Sequence, residues 1–357
     1  MKAILVGNAN PKLDNISAAQ LFPFFDNRKC LERKLNLKFR HLQAVTLPEI
    51  AAVCYGEDAD AFFIRPCWRE EPTAVIAFVQ ELRANYPNRK IIFIDPFDQE
   101  TSRFFGVLPS VDWFLKYQGL KDINEYKQHH VGGTIITDYL ARELHIELDG
   151  WHVGSEVPDG YEKRIISGWN VGIDKRFKKQ LIKAPIWRLV PKKKDIDVFC
   201  RVSLGSIHKQ EWYIKHRIMG LKALKPLEAE YKLAVSGEFD ENKTISSRQY
   251  FSEIKRSRIA FSPFGWGPTT WRDYEAVCYD CLLVKPLMDR IDAKPNIYVA
   301  DETYIPLKWD FSDAAEKCNY YLQHWNEAEV IIRNARSAYE NYFRQEEFVK
   351  TIQDVLA

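Results

Sequence analysis

Short apolar runs alternate with helical patterns along the first half of the chain. Continuous apolar runs of strand length occupy residues 2–6, 60–64, 90–94 and 111–115. Apolar residues recur at helical spacing over 73–86, and 135–143 predicts a further helix, whereas the Gly-, Trp- and Pro-rich stretch 150–172 predicts a loop. Apolar strands that are buried on both faces and joined by helices predict a parallel, doubly wound sheet.

The second half repeats this alternation. Strands are predicted at 195–200, 231–235, 258–261 and 282–285, and helices at 210–224, 246–257, 270–279 and over most of 312–356. Between the halves, residues 178–194 carry seven basic residues, no acidic residue and two prolines, which predicts an interdomain crossing.

The pattern therefore predicts an α/β protein with two Rossmann-like domains that face a cleft, followed by C-terminal helices. We expect an N-terminal domain over 1–185, a second domain over 186–335, and helices over 336–357 that pack back toward the first domain. In such folds ligands bind beyond the carboxyl ends of the strands, so the ligand should lie in the cleft.

Composition narrows the classes of protein without naming a function. The chain has 357 residues, of which 46% are hydrophobic and 28% charged, and its formal net charge is +2. A near-balanced charge gives no overall attraction to nucleic acid, and no apolar run of about 18 residues predicts a membrane span. Seven scattered cysteines and an N-terminus without the apolar core of an export signal indicate reduced thiols and a cytoplasmic protein.

The segment 257–286 carries the most chemical information. It predicts a strand, a loop with Gly265 and Gly267, a helix and a second strand. Pro268, Thr269 and Thr270 suit a helix start, and Thr270-x-x-Asp273 fits the capping-box pattern. The free N–H groups of a first helical turn and the helix dipole form an anion site.

Arg272 and Glu275 lie in the first turns of this predicted helix. A cation there opposes the helix dipole by about 0.3–1 kcal/mol, which is easier to explain if a diphosphate binds at the same place. Glu275 follows on a neighbouring part of the same face and is suited to accept hydrogen bonds from a ribose or sugar diol. The alternative is an Arg272–Glu275 ion pair on the surface of an ordinary helix.

This segment resembles the donor-binding segment of GT-B glycosyltransferases, in particular the exostosin-like and family-one-like groups. The resemblance covers about residues 195–345 and is only architectural over 1–185. Gly267 stands where many retaining members carry the first of two glutamates, which favours the exostosin-like form of the motif. The matching residues are Ser262-Pro263, Gly265, Arg272, Glu275-Ala276, Cys281 and Val284.

The resemblance implies a nucleoside diphosphate sugar donor on the C-terminal domain, a carbohydrate or other hydroxyl acceptor on the N-terminal domain, no cofactor and no essential metal. The implied activity is transfer of a glycosyl group to a hydroxyl. Candidate donor-binding residues are Arg201, Ser236, Gly237, Gly265, Trp266, Gly267, Thr269, Thr270, Arg272 and Glu275.

Three catalytic candidates follow from residue chemistry. Arg272 is suited to stabilise the charge of the leaving diphosphate. Asp95 and Asp98 follow a predicted buried strand, where a carboxylate is suited to act as general base for an acceptor hydroxyl; the alternative is that an aspartate caps the next helix. The spacing Asp-x-x-Asp is not the Asp-x-Asp of metal-dependent glycosyltransferases, so no metal site is predicted.

Two other functions share this architecture. One is a non-catalytic, two-domain binding protein for a sugar or nucleotide, and the other is a sugar-nucleotide epimerase. Turnover of a nucleotide sugar separates an enzyme from a binding protein, and dependence on an acceptor separates a transferase from an epimerase.

Overall fold

The computed structural model of the chain describes residues 1–182, 193–204, 211–236 and 245–357. Within these ranges two parallel β-sheets follow one another, one in each half of the chain. The predicted boundary between residues 185 and 186 lies outside the described residues, so the division into 1–185, 186–335 and 336–357 stays a prediction.

The first half is built on a six-stranded parallel sheet. The strands of this half are β1 (Lys2–Gly7), β2 (Lys38–Gln43), β3 (Ala61–Ile64), β4 (Lys90–Ile94), β5 (Trp113–Lys116), β6 (Gln118–Leu120) and β7 (Ile165–Ser167). Their order in the sheet is β2-β1-β3-β4-β5-β7, and β6 stands outside it. In β1, Ile4 and Val6 enter one hydrophobic core while Ala3 and Leu5 enter another, which explains why the strand is apolar from Ala3 to Val6.

Helices cover both faces of this sheet. They are α1 (Asn15–Asp26) and α2 (Arg28–Leu35) on one face, and α3 (Leu47–Gly56) and α4 (Pro72–Asn85) on the other. Two further helices, α5 (Ile135–Arg142) and α6 (Lys175–Ile182), bury their apolar residues in a core shared with the second half. The Asp14 side chain starts α1 by accepting hydrogen bonds from the N–H groups of Ile16 and Ser17.

The second half is built on a five-stranded parallel sheet. Its strands are β8 (Ile196–Cys200), β9 (Leu233–Val235), β10 (Ser257–Phe261), β11 (Leu282–Pro286) and β13 (Ile305–Leu307), whereas β12 (Ile291–Ala293) lies outside it. The order in the sheet is β13-β11-β10-β8-β9. The helices are α7 (Trp212–Ala223), α8 (Ser247–Lys255), α9 (Trp271–Cys278), α10 (Ala314–Gln323), α11 (Trp325–Arg344) and α12 (Glu347–Leu356).

A strand pair and the last helix are among the connections that hold the halves together. Strand β12 pairs with β6 in antiparallel fashion, with Ile291 opposite Leu120. The last helix, α12, crosses back to the first half, where the Phe348 ring lies 5.2 Å from Phe24 and 4.7 Å from Trp169. None of the described helices is both long and apolar enough to cross a membrane.

The predicted fold class, α/β with two Rossmann-like sheets and helices at the C-terminal end, is confirmed. One local prediction is wrong, because the predicted loop 150–172 contains β7, which pairs with β5. The first residues of the predicted crossing, 178–182, form the end of α6, whose buried residues are Phe177 and Leu181. Residues 183–192 of that crossing lie outside the described residues, so the crossing stays a prediction.

Candidate functional site

A cavity of about 810 Å³, here called the central crevice, lies between the two halves. The first half contributes one side of α1 along its length and the segment around Arg176, and the second half contributes the start of α9 and parts of α7 and α8. Among the described residues that line it, four are cationic and two are acidic, an excess of two positive charges: Lys175, Arg176, Arg217 and Arg272 against Asp174 and Glu275.

The amino end of α9 opens onto this crevice. Thr270 and Asp273 form a capping box, with the Asp273 carboxylate accepting from the Thr270 N–H and hydroxyl at 2.9 Å each. The N–H groups of Trp271 and Arg272, at the first two helical positions, have no acceptor within the helix, and both residues line the crevice. The helix start therefore has the two features of an anion site, free N–H donors and the positive end of the dipole.

A buried polar network fixes this helix start. The Asp273 carboxylate also accepts a hydrogen bond from the Tyr298 hydroxyl at 2.8 Å and lies 3.3 Å from the Lys285 ammonium group. Asp273 and Lys285 are both fully buried, and the Ser262 hydroxyl donates to the same carboxylate. Three hydroxyl groups and a buried ammonium group thus hold the Asp273 carboxylate that caps α9.

Arg272 is 8% exposed and only partly satisfied by the protein. Its Nη2 donates to the Arg201 carbonyl at 2.7 Å and its Nη1 to the Ser262 hydroxyl at 3.3 Å, whereas its Nε has no partner among the described residues. Burial and the nearby charge of Arg272 lower the pKa of Arg217 to about 10. A buried guanidinium beside a half-buried one favours binding of an anion.

Glu275 also lines the crevice, but it does not form the surface ion pair with Arg272 that the sequence left open. It is 4% exposed, accepts from the Tyr250 hydroxyl at 2.6 Å, and lies 3.4 Å from Arg176 Nη2. The Arg176 guanidinium in turn lies 4.1 Å from the Trp271 ring centroid. A carboxylate, a phenol and a guanidinium from both halves thus meet at one side of the crevice.

The loop from Ser262 to Thr270, here called the donor loop, reaches the first half instead of lining the crevice throughout. A Cβ on Gly267 would lie 2.0 Å from the Asp98 carbonyl oxygen, so only glycine allows this approach. The Thr269 hydroxyl donates to Gln118 Oε1, and Gly265 lies beside Arg217. Gly267 and Thr269 therefore join the halves and do not line the crevice, contrary to their predicted place on the donor.

Trp266, on the same loop, enters a second cavity of about 290 Å³, here called the tryptophan cavity. Its lining residues are Asp14, Ile16, Arg65, Trp68, Pro96, Phe97, Asp98, Gln99, Arg103, Trp151, His152, Val153 and Trp266. The two cavities are neighbours, because Asp14 and Ile16 face this one while Asn15 lines the central crevice.

The two aspartates predicted as general bases differ in environment. Asp98 lines the tryptophan cavity, and burial raises the pKa of its carboxyl to about 6, although the Lys116 charge opposes the shift. Asp95 is fully buried, forms an ion pair with Lys116 and accepts from the Ser102 hydroxyl at 2.7 Å. Asp95 lines neither cavity, so the prediction that it faces the cleft is wrong; its carboxylate neutralises a buried lysine instead.

The loops after β8 and β9 do not place their predicted residues in the crevice. The Arg201 guanidinium forms a bidentate ion pair with Glu253, at 2.7 and 3.0 Å, and donates to the Val235 carbonyl. The Ser236 hydroxyl accepts a hydrogen bond from the Val202 N–H at 2.8 Å and donates one to the Val202 carbonyl at 2.7 Å. Both side chains tie neighbouring strands together, and Gly237 lies outside the described residues.

Sequence reasoning missed several residues around the two cavities. Arg176 and Tyr250 lie on helices whose polar faces look like ordinary surface, and Trp68 and Trp151 are isolated aromatic residues in loops. These residues share only their position, either after a parallel strand or on the cleft side of a helix. That position can be recognised only once the order of the strands in the sheets is known. Among the described residues, no group of three or more His, Cys, Asp and Glu side chains is placed to hold a metal ion.

No protein-family model matches the chain, and no curated protein matches its sequence. Solved structures do resemble it. A glycosyltransferase from Rickettsia africae has a TM-score of 0.52 at 11% identity, over 99% of this chain and 97% of that one. A UDP-GlcNAc 2-epimerase from Neisseria meningitidis, bound to UDP-GlcNAc, has a TM-score of 0.45 at 12% identity, over 99% and 100%. An α1,3-fucosyltransferase has a TM-score of 0.43 at 9% identity, over 98% and 90%.

At such low identity, the likeness to the Rickettsia glycosyltransferase concerns the fold. The chain has the GT-B arrangement, in which two Rossmann-like units face a cleft. The narrower resemblance to the exostosin-like and family-one-like groups has no family model behind it and stays a prediction.

Proposed function

We propose that the protein is a glycosyltransferase that moves a sugar from a nucleoside diphosphate sugar to a hydroxyl acceptor. The donor diphosphate would bind in the central crevice at the start of α9. The acceptor would bind in the neighbouring tryptophan cavity, beside Asp98.

The observation that carries this proposal is the set of donors and positive charges at the start of α9. The Trp271 and Arg272 N–H groups border the central crevice, as does the Arg272 Nε, which has no partner among the described residues. Arg217 adds a positive charge to the same lining, while its Nε and Nη1 donate to the Phe264 and Ser203 carbonyls. Its excess of two positive charges among the described lining residues matches the charge of a bridging diphosphate.

The same groups would act on the leaving group. As the bond between the anomeric carbon and the phosphate oxygen breaks, negative charge grows on the departing diphosphate. Arg272, Arg217 and the first turn of α9 line that crevice, so their positive charges and the helix N–H groups would stabilise the developing charge. This is the task that a metal ion performs in other folds, and it supports the expectation of transfer without an essential metal.

Asp98 would accept the proton of the acceptor hydroxyl. A pKa of about 6 leaves most of its carboxyl ionised at neutral pH while keeping it a stronger base than an ordinary aspartate. The hydroxyl oxygen then forms the new bond to the anomeric carbon. Closure of the halves around both cavities would exclude water, which otherwise competes as an acceptor.

The test is turnover of nucleoside diphosphate sugars, each incubated with and without a panel of sugar acceptors. The proposal expects nucleoside diphosphate release that rises when acceptor is added, a new glycoside detected by mass spectrometry, and unchanged activity in chelator. Inversion of a sugar carbon without acceptor, followed by NMR, would identify an epimerase. Tight binding without any product would identify a binding protein.

A further inference from the structure

The walls of the tryptophan cavity are suited to the face of a sugar ring. Trp68, on the loop after β3, and Trp266, on the donor loop, meet edge to face with ring centroids 6.4 Å apart. They are 36% and 40% exposed, although large aromatic side chains are normally buried. Trp151 and Phe97 line the same space. Exposed rings around a cavity at the small end of the ligand-site range, about 300–1,000 Å³, indicate a compact ligand with an apolar face.

One cation of this cavity has no ion-pair partner among the described residues. Arg65 is 2% exposed; its guanidinium lies 3.6 Å from Asp14 Oδ2, and its Nε donates to Gln20 Oε1 at 3.0 Å. Arg103 also lines the cavity and is partly exposed, but it forms no ion pair or hydrogen bond with any described residue. The remaining charged group, Asp98, is reserved in the proposed function for the acceptor proton.

We propose that the acceptor is a sugar that carries an anionic group, a carboxylate or a phosphate, and that Arg103 binds this group. This inference rests on the proposed function, because it identifies the class of acceptor for the same reaction. Guanidinium pairs with both anions in bidentate geometry, while the tryptophan rings hold the sugar face.

The experiment is ligand-observed saturation-transfer NMR with three probes: glucose, glucuronate and glucose 6-phosphate. The proteins are the wild type, Arg103→Gln, Arg103→Lys and, as the matched control, Arg69→Gln. Arg69 is an exposed arginine near the cavity mouth, 4.8 Å from the Trp68 ring, and it does not line the cavity. Thermal unfolding of each variant checks that it is folded.

We expect at least one anionic probe to bind the wild type roughly tenfold or more tightly than glucose. Arg103→Gln should remove that preference, Arg103→Lys should restore part of it, and Arg69→Gln should leave it unchanged. Preference for glucuronate alone identifies a carboxylate, and preference for glucose 6-phosphate alone identifies a phosphate. An Arg272→Gln protein should keep the preference, since the probe binds outside the central crevice.

Equal binding of the three probes, no binding of any of them, or an anion preference that survives in folded Arg103→Gln would overturn the inference. Titration of the same proteins with nucleoside diphosphates separates this failure from failure of the proposed function. Nucleotide binding without an anion preference removes the acceptor class alone. Absence of nucleotide binding removes the transferase itself.

Discussion

At the residue scale, the two aspartates after β4 show how burial assigns different roles to the same side chain. Asp98 borders a cavity, whereas Asp95 is fully buried against Lys116, and burial raises the pKa of both carboxyl groups. From sequence both are carboxylates that follow a strand, and nothing in their spacing separates them. The distinction depends on Lys116, which comes from β5 and is brought to Asp95 only by the pairing of β4 with β5.

Asp98→Asn should stabilise the protein at neutral pH while it abolishes turnover. The folded-state pKa of about 6 exceeds the ordinary value of 3.8, so the folded state binds the proton more tightly. Stability of the wild type should therefore fall as pH rises from about 4 to about 6. The neutral amide of Asp98→Asn avoids this loss. Above about pH 6 the variant should therefore gain about 1–3 kcal/mol in free energy of unfolding over the wild type, since one pKa unit is about 1.4 kcal/mol.

Urea unfolding across this pH range measures the effect. The control is Asp58→Asn, because the Asp58 side chain is 88% exposed and its ion pair lies at the surface. A gain of equal size at every pH, or none at any pH, would contradict the raised pKa of Asp98.

Asp95→Asn should destabilise the protein by about 3–5 kcal/mol, because it leaves a buried lysine without its counter-ion. Adding Lys116→Met should recover part of the loss, since an apolar pair tolerates burial. Denaturant unfolding of the single and double variants gives the free energy of interaction between Asp95 and Lys116. A stable Asp95→Asn protein that has lost only its activity would instead make Asp95 the base.

At the element scale, strong apolar runs were predictable and short or weakly patterned elements were not. Strands β1, β3, β4 and β8 are apolar at nearly every position, and α4 and α9 begin at proline or capping signals that the sequence carries. Helix α1 contains Pro23, and β7 has only three residues among glycines and tryptophans, so neither has a readable period. Both are fixed by tertiary packing.

Gly267→Ala should weaken the contact between the donor loop and the first half. The added Cβ would lie 2.0 Å from the Asp98 carbonyl oxygen, and both partners are backbone, so the loops must separate. We expect a loss of about 1–3 kcal/mol in unfolding free energy and a lower turnover, because Trp266 and Asp98 move apart.

The control for this change is Gly56→Ala at the end of α3, where a Cβ meets nothing within 4 Å. That variant should be neutral or stabilised by up to about 1 kcal/mol. Equal stability and turnover of Gly267→Ala and the wild type, measured by calorimetry and product release, would show that the loop contact has no role.

At the scale of the whole molecule, the sequence predicted the tandem of parallel sheets and the helix start at Thr270, but not how the halves meet. The α9 signal is local, since Thr270 and Asp273 are neighbours in sequence. Arg201 and Ser236 were expected in the cleft because they follow strands, yet Glu253 and Val202 engage them. Contacts between distant segments, such as Thr269 with Gln118, are set by the docking of the halves and leave no local pattern.

The docking of α12 on the first half gives a prediction at this scale. Phe348 packs against Phe24 and Trp169, so Phe348→Ala should lower the free energy of unfolding by about 3–5 kcal/mol. Gln353→Ala, at an exposed position of the same helix, should change it little. Denaturant unfolding followed by tryptophan fluorescence compares them, and equal stability of the two variants would contradict this packing.

The most direct measurement is calorimetric titration of the protein with UDP, GDP, ADP and CDP, repeated with Arg272→Gln and with Arg333→Gln on the exposed side of α11 as control. At least one nucleoside diphosphate should bind the wild type and the control equally. The Arg272→Gln substitution should weaken nucleotide binding roughly 10- to 150-fold, which corresponds to the loss of a charged hydrogen bond of about 1.5–3 kcal/mol. Absence of binding by all four nucleotides, or full affinity in a folded Arg272→Gln protein, would contradict a diphosphate site at the start of α9.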